Sequence, residues 1–194
     1  MKINPFLGHF AVNVLLTCSV FGQANFLFRN YGSGINAPVF NAQGQPLGPS
    51  YRAELWGAAT PDSLTPLLVL DENNRREILP FFDGGYVIST TAYLSVYSVP
   101  PGGSAWLQMR AWDAQLGATY EQVAALGIGG YGESPLFYAQ GGNPFDQFPE
   151  PGHLIGLQSY SLRPIVPEPS TWALFTFGGT ALWWAARRHR RRKP

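Results

Sequence analysis

Three consecutive segments close the chain, and together they limit what the rest of it can fold into. A Pro-rich stretch, Val166-Pro167-Glu168-Pro169-Ser170-Thr171, is followed by an uncharged apolar run from Trp172 to Ala186. The chain then ends in Arg187, Arg188, His189, Arg190, Arg191, Arg192 and Lys193 before Pro194. The fifteen apolar residues would rise roughly 22 Å as a helix, against a hydrocarbon core of about 30 Å. Ser170 and Thr171 extend that to roughly 26 Å. Trp172, Trp183 and Trp184 suit the two interfaces, and arginines at a helix end can snorkel. A buried core helix is the competing reading, yet core helices rarely end in six cations within seven residues. The segment is expected to be a transmembrane helix over 172–186, which removes it from any soluble core.

Arg187, Arg188, Arg190, Arg191, Arg192 and Lys193 then read as a topology signal in a basic cytoplasmic tail, 187–194. Cations flanking a span stay on the cytoplasmic side, so everything before Trp172 is expected outside. A nucleic-acid patch is the alternative use of such a cluster, but its place directly after an apolar run argues against it.

The ordered triple of Pro-Glu-Pro, apolar helix and Arg-rich end resembles the PEP-CTERM sorting signal of Gram-negative surface proteins. In that family the signal is processed by a membrane-embedded transpeptidase-like protease, an exosortase. The resemblance puts the sorting motif on Pro167, Glu168 and Pro169, within a linker over 163–171. Two prolines hold such a segment extended and non-helical, where a protease can take it. Pro149-Glu150-Pro151 is an internal control: Gly152, His153 and Leu154 come after it, with no apolar run or basic cluster. The tripeptide is therefore a signal only when an apolar run and a basic end succeed it.

The N-terminus agrees. Lys2 precedes a mainly apolar stretch from Phe6 to Phe21, and Gly22 and Ala24 fit the −3 and −1 positions of a signal-peptidase site, with cleavage before Asn25. Residues 1–24 are thus expected to be a signal peptide, handled by the Sec machinery and signal peptidase. A permanent N-terminal anchor is a rival reading, as is a lipoprotein signal at Leu15-Leu16-Thr17-Cys18, where Thr17 is a poor fit. Cys18 is the sole cysteine, so a processed chain would hold no disulfide and no thiolate site.

Between the signals, residues 25–166 carry six arginines, no lysine and eleven acids, a net charge of −5. That balance does not suit nucleic acid or anionic lipid. Abundant Gly, Pro and aromatic residues, without long helical periodicity, predict an all-β fold: a single β-sandwich-like domain over 25–162 with one short helix. Expected elements are a hairpin over 37–47, a strand over 51–56 with Tyr51, Ala53 and Leu55 on one face, and a helical turn at Thr60–Leu64. One long strand or two joined by a bend should lie within Tyr86–Val99, and a clear strand over Ser104–Asp113. A helix over Tyr120–Leu126 should be capped by Thr119 and stopped by Gly127, and the last strand is expected over Gly156–Leu162. Gly127 to Gly152 reads as loop-rich.

Catalytic patterns fail mostly on inventory. His153 is the one histidine between the signals, no Gly-x-Ser-x-Gly elbow is present, and Gly127–Gly132 follows a helix where a dinucleotide fingerprint must follow a strand. Neither a metal site nor a cofactor is expected, although Asp71-Glu72-Asn73-Asn74 holds oxygen ligands that could take calcium; a solvated turn is the simpler reading. Eleven scattered acids offer no spacing argument for a glycosidase pair. Alternation in Ser104–Asp113 puts Leu107, Met109 and Ala111 on one face and Trp106, Gln108, Arg110 and Trp112 on the other. The same alternation over Tyr51–Trp56 groups Arg52, Glu54 and Trp56; if the two faces are exposed and adjacent, Trp56, Trp106, Arg110 and Trp112 make a candidate ligand face, since indoles beside polar groups suit a sugar ring. Packing of these tryptophans under loops is the plainer alternative.

Pro38-Val39-Phe40, Ala53-Glu54-Leu55-Trp56, Arg110-Ala111-Trp112-Asp113 and Tyr131-Gly132-Glu133-Ser134 resemble an ectodomain type recurring in PEP-CTERM proteins. The resemblance implies an exported, non-enzymatic surface or extracellular-matrix protein associated with exopolysaccharide. It would pass through an inner-membrane intermediate with its ectodomain outside the cytoplasm. A carbohydrate-binding module is the alternative, and a glycoside hydrolase-type enzyme a third reading.

Overall fold

The computed structural model describes residues 23–69, 73–147 and 149–166. The fold is mostly β. Its strands are β1 (Ala24–Arg29), β2 (Tyr31–Gly32), β3 (Ile35–Asn36), β4 (Val39–Phe40), β5 (Tyr51–Ala58), β6 (Thr65–Pro66) and β7 (Leu68–Val69). They continue with β8 (Leu79–Pro80), β9 (Ile88–Val96), β10 (Ser104–Asp113), β11 (Tyr131–Glu133), β12 (Phe137–Gln140) and β13 (Tyr160–Ser161). The α-helix, α1, spans Tyr120–Leu126. Its N-cap Thr119 accepts a hydrogen bond from Gln122 N, and Gly127 ends it at a left-handed φ of 70°.

Strand β10 is the hub. On one side it pairs antiparallel with β5 over eight residues, from Trp106↔Ala58 to Asp113↔Tyr51. On its other side β11 covers Arg110 to Trp112 and β12 covers Ser104 to Leu107. Ser134 stands in the gap between them: its N–H donates to Met109 O at 2.8 Å and its hydroxyl accepts from Met109 N at 3.0 Å. The ladder thus continues through a kink that would otherwise leave Met109 unpaired. Strands β6 and β8 extend the sheet beyond β5 to six strands. A second, three-stranded sheet runs β1-β9-β7.

Both sheets feed one core, with Phe26, Phe28, Leu94 and Val96 from the smaller and Ala53, Leu55, Leu107 and Met109 from the larger. Gly57 leaves no room for a side chain: a Cβ there would lie 2.7 Å from the Leu107 side chain of its own sheet and 3.3 Å from Val96 of the other. Buried Asn30 ties the core's loops together. Its amide donates to Ala37 O (2.8 Å) and Gly85 O (3.0 Å), and its oxygen accepts from Val87 N (2.8 Å). Every polar atom on that side chain has a backbone partner, which is why an amide is tolerated at zero exposure.

The strands expected over 51–56 and 104–113 are present, and within Tyr86–Val99 the strand is β9. One expectation needs correction. The strand anticipated over 156–162 is confined to Tyr160–Ser161, which pairs in parallel with β4. The preceding residues turn instead, with Gly156 at φ 99° and Leu157 N bonded to Leu154 O. The loop-rich stretch 127–152 also carries the short strands β11 and β12.

Candidate functional site

The outward face of β5 and β10 carries the residues singled out as a ligand surface, and their surroundings separate them. Trp112 is fully buried. Helix α1 lies on it, with Tyr120 edge-on at 6.5 Å and Val123 completing a second small core, while the indole N–H donates to Gly117 O at 3.1 Å. Alternation places Trp112 on the polar side of the sheet as expected, but the helix covers that end, so it belongs to no open face.

Trp56 is half-covered. The Arg110 guanidinium lies 3.7 Å from its ring centroid and also faces Tyr120 at 5.0 Å. A stacked cation of this kind is attracted by both ring faces and shields them from solvent. Trp56 donates its indole N–H to Glu54 Oε1 at 2.7 Å. Glu54, 1% exposed, also accepts from Arg76, through Nε at 3.1 Å and through a second, shorter contact from Nη2. Arg76 reaches on to Glu121 at 3.0 Å, so one guanidinium bridges two carboxylates.

The two carboxylates respond in opposite directions. Burial pushes Glu54 above the ordinary value of 4.5, with the bonds from Trp56 and Arg76 only partly offsetting it. For Glu121 burial also raises, but the hydrogen bonds from Arg76 and the helix-start backbone prevail and hold it below that value. Two carboxylates at split affinities are a feature of acid–base sites. Here, however, the guanidinium occupies the space between them, and the described grooves are lined by other residues.

A further polar chain runs from α1 to the C-terminal strand. The Tyr120 hydroxyl donates to Glu133 Oε2 at 2.8 Å, and burial together with that bond raises the phenol well above its usual range. Glu133 pairs with Arg163 at 3.4 Å, and Arg163 lies over Tyr131 at 4.8 Å.

Trp106 is half-buried, and its neighbour is an aromatic ring. It stands across from Tyr138 in the β10–β12 register, the two rings 5.2 Å apart and tilted by 51°. Tyr138 is 57% exposed. Sequence reading missed Tyr138 because β12 sits in a stretch that looks like loop; the alternating Phe137-Tyr138-Ala139-Gln140 pattern was the available signal. Beyond this pair lies a groove of about 440 Å³ lined by Tyr138, Gln140, Glu150 and His153, among others. His153 Nδ1 lies 3.3 Å from Arg29 Nη2, so the histidine is tied to β1 rather than poised alone. Among the described residues no cluster of three potential metal ligands occurs. Asn74 accepts from the Tyr97 hydroxyl at 2.7 Å; Asp71 and Glu72 lie outside the described residues.

Pro167, Glu168 and Pro169, the span 172–186, the basic residues Arg187, Arg188, Arg190, Arg191, Arg192 and Lys193, and Gly22 also lie outside the described residues. Among those described, no helix is long and apolar enough to cross a membrane. Ala24 is described, and it is the first residue of β1. It is fully buried, pairs with Val96, and donates its N–H to Val99 O at 3.0 Å. A cut between Ala24 and Asn25 therefore falls after the first residue of β1, and removes a buried methyl and the Ala24 N–H bond to Val99 O. The decoy tripeptide is fixed just after its end, since Gly152 N donates to Asn25 O and Leu27 N to Gly152 O, both at 2.9 Å.

The chain matches no family model, no curated protein and no solved structure.

Proposed function

We propose that this chain is an exported, non-catalytic surface or matrix protein whose C-terminal segment is a PEP-CTERM sorting signal taken by an exosortase. Leader removal by signal peptidase and a membrane-held intermediate precede that step. The observation carrying the reading is the order of the closing segments: Pro167-Glu168-Pro169, then an uncharged apolar run, then a basic end. Pro149–Pro151 has no such sequel, and the residue after it, Gly152, is bonded to β1. Two sheets sharing one core support the finer description of a sandwich-like domain. The test is release of a C-terminal tag from cells: wild type loses it, and Glu168→Ala keeps it. A variant that loses the tag at the wild-type rate refutes recognition of this tripeptide.

A second reading, saccharide binding, is favoured by the Trp106–Tyr138 pair and its groove. Retention on a polysaccharide panel, with exopolysaccharide included, is expected to fall at least tenfold for Trp106→Ala and to stay unchanged for Trp112→Phe. Equal retention of wild type and Trp106→Ala removes this reading and leaves the sorting proposal untouched.

A further inference from the structure

The stretch expected to be a free linker begins inside the domain. Leu162 N donates to Phe40 O at 2.9 Å, Arg163 N to Tyr131 O at 2.8 Å, Gly130 N to Arg163 O at 2.9 Å and Val166 N to Ile128 O at 2.7 Å. Residues 162–166 are thus laid along the segment between α1 and β11. Gly129 and Gly130, at φ 94° and 79°, let the two backbones meet. A Cβ on Gly129 would run into the Pro164 carbonyl, and one on Gly130 would lie within 3.4 Å of the Ile165 side chain. The Arg163–Glu133 pair fastens the same segment through its side chain.

This docking fixes the position of Val166, which precedes the Pro-rich stretch. From Val166 to the first apolar residue, Trp172, five residues intervene, a reach of at most about 20 Å when fully extended. The surface there is also distinctive. Leu126 is 47%, Ile165 50% and Val166 60% exposed, and neither 126–131 nor 164–166 contains a charged residue. Three exposed apolar side chains thus stand beside the Arg163 cation, 58% exposed, at the last described residues before the apolar run.

We infer that the surface formed by Leu126, Ile165 and Val166 seats the domain on the phospholipid surface while the chain is held by its C-terminal segment. This rests on the proposed reading of 172–186 as a membrane helix. Three side chains alone would bind lipid weakly. A short tether, however, supplies an effective concentration on the order of millimolar, so modest apolar burial is sufficient. Seating would hold the Pro167–Pro169 segment at the membrane plane, where an integral membrane protease acts.

The test uses the full chain carrying Cys18→Ser, reconstituted in phosphatidylcholine–phosphatidylethanolamine vesicles. A fluorophore is placed at Ala125→Cys beside the surface, or at Ser98→Cys beyond the opposite end of β10. Lipids spin-labelled at the headgroup should quench the Ala125 probe at least threefold more than the Ser98 probe. A twelve-residue Gly-Ser spacer between Val166 and Pro167 separates seating from mere tethering. With the spacer, quenching at Ala125 should persist, and Leu126→Ser with Ile165→Ser should reduce it at least threefold. If the spacer abolishes quenching whatever residues stand at 126 and 165, the surface does not bind lipid. If Ala125 is shielded only when exosortase is co-reconstituted, the surface belongs to the protease and the lipid assignment falls. Extraction of the chain by alkaline carbonate would instead overturn the membrane-helix reading itself, and the seating inference with it.

Discussion

At the Asp113 end of β10, Trp112 lies beneath α1 with its N–H bonded and its ring enclosed; at the Ser104 end, Trp106 leans on a half-exposed tyrosine at the edge of an open groove. Both indoles point from the same strand to the same side of the same sheet. Strand periodicity assigns a side chain to a face, and whether that face is core or surface depends on what the next element brings over it. Here the cover is one helix of seven residues, positioned by Thr119 at its start and by the Trp112–Tyr120 edge contact. Between the two ends, Trp56 and Arg110 make a transition zone in which a cation, rather than a helix, lies over the ring.

The comparison breaks most sharply at Trp112. Replacing it with alanine should cost about 3–5 kcal/mol, the usual range for emptying a fully enclosed aromatic site. Urea unfolding of the domain measures this, and a loss under about 1 kcal/mol would mean that α1 does not seal that end.

The next largest effect is expected at Arg76. Arg76→Met leaves the Glu54 carboxylate buried without its cation, a situation that commonly costs 3–5 kcal/mol. Because Arg76 is itself 29% exposed and water can enter, a loss of about 2–3 kcal/mol is expected at neutral pH. Adding Glu54→Gln should recover most of it, since the second change removes the stranded charge. A double variant as unstable as the single one would show that Arg76 acts by packing its stem rather than by neutralising Glu54.

The same clamp has a pH signature with two signs. Glu54 has a raised affinity for its proton in the fold, so its contribution is greatest below the unfolded value and is lost as pH climbs through the folded one. Glu121 is lowered, so its contribution is present above the unfolded value and is lost as pH falls through the folded one. Measured as urea midpoints between pH 3 and 7, wild type should lose ground to Glu54→Gln as pH rises. It should lose ground to Glu121→Gln as pH falls. Parallel curves for the two variants would contradict the opposed directions.

How much of this was legible in the sequence depends on the length of the signal. Ser104–Asp113 and Tyr120–Leu126 were readable because ten alternating residues and a Thr119…Gln122…Gly127 frame overdetermine them. Strands β11 and β12 were not, at three and four residues between glycines and a proline; their pairing is imposed by β10, which is distant in sequence, with Ser134 bridging the gap between them. The N-terminal strand was hidden for a different reason: Gly22-Gln23-Ala24 satisfies a cleavage pattern, and that pattern overlaps the residue with which β1 begins. Of the candidate face, the side assignment of Trp56, Trp106, Arg110 and Trp112 was legible. Their covering was not, because the partners Tyr120, Arg76 and Tyr138 come from elements whose docking no local pattern records.

The smallest effect is expected at the open end, and it tests whether Trp106 and Tyr138 form a unit. Neither ring is enclosed, so Trp106→Ala and Tyr138→Ala should each lower stability by no more than about 1 kcal/mol. Rings with centroids 5.2 Å apart should nevertheless be coupled, typically by about 0.5–1.5 kcal/mol. Removing one ring takes away the contact that the other depends on, so the double variant should cost less than the sum of the singles by that amount. Strict additivity in urea unfolding would mean that each ring packs on the sheet independently and that no shared platform exists. Coupling without a stability penalty of the Trp112 kind is what a surface held ready for contact requires: rings ordered by each other and not sealed beneath another element.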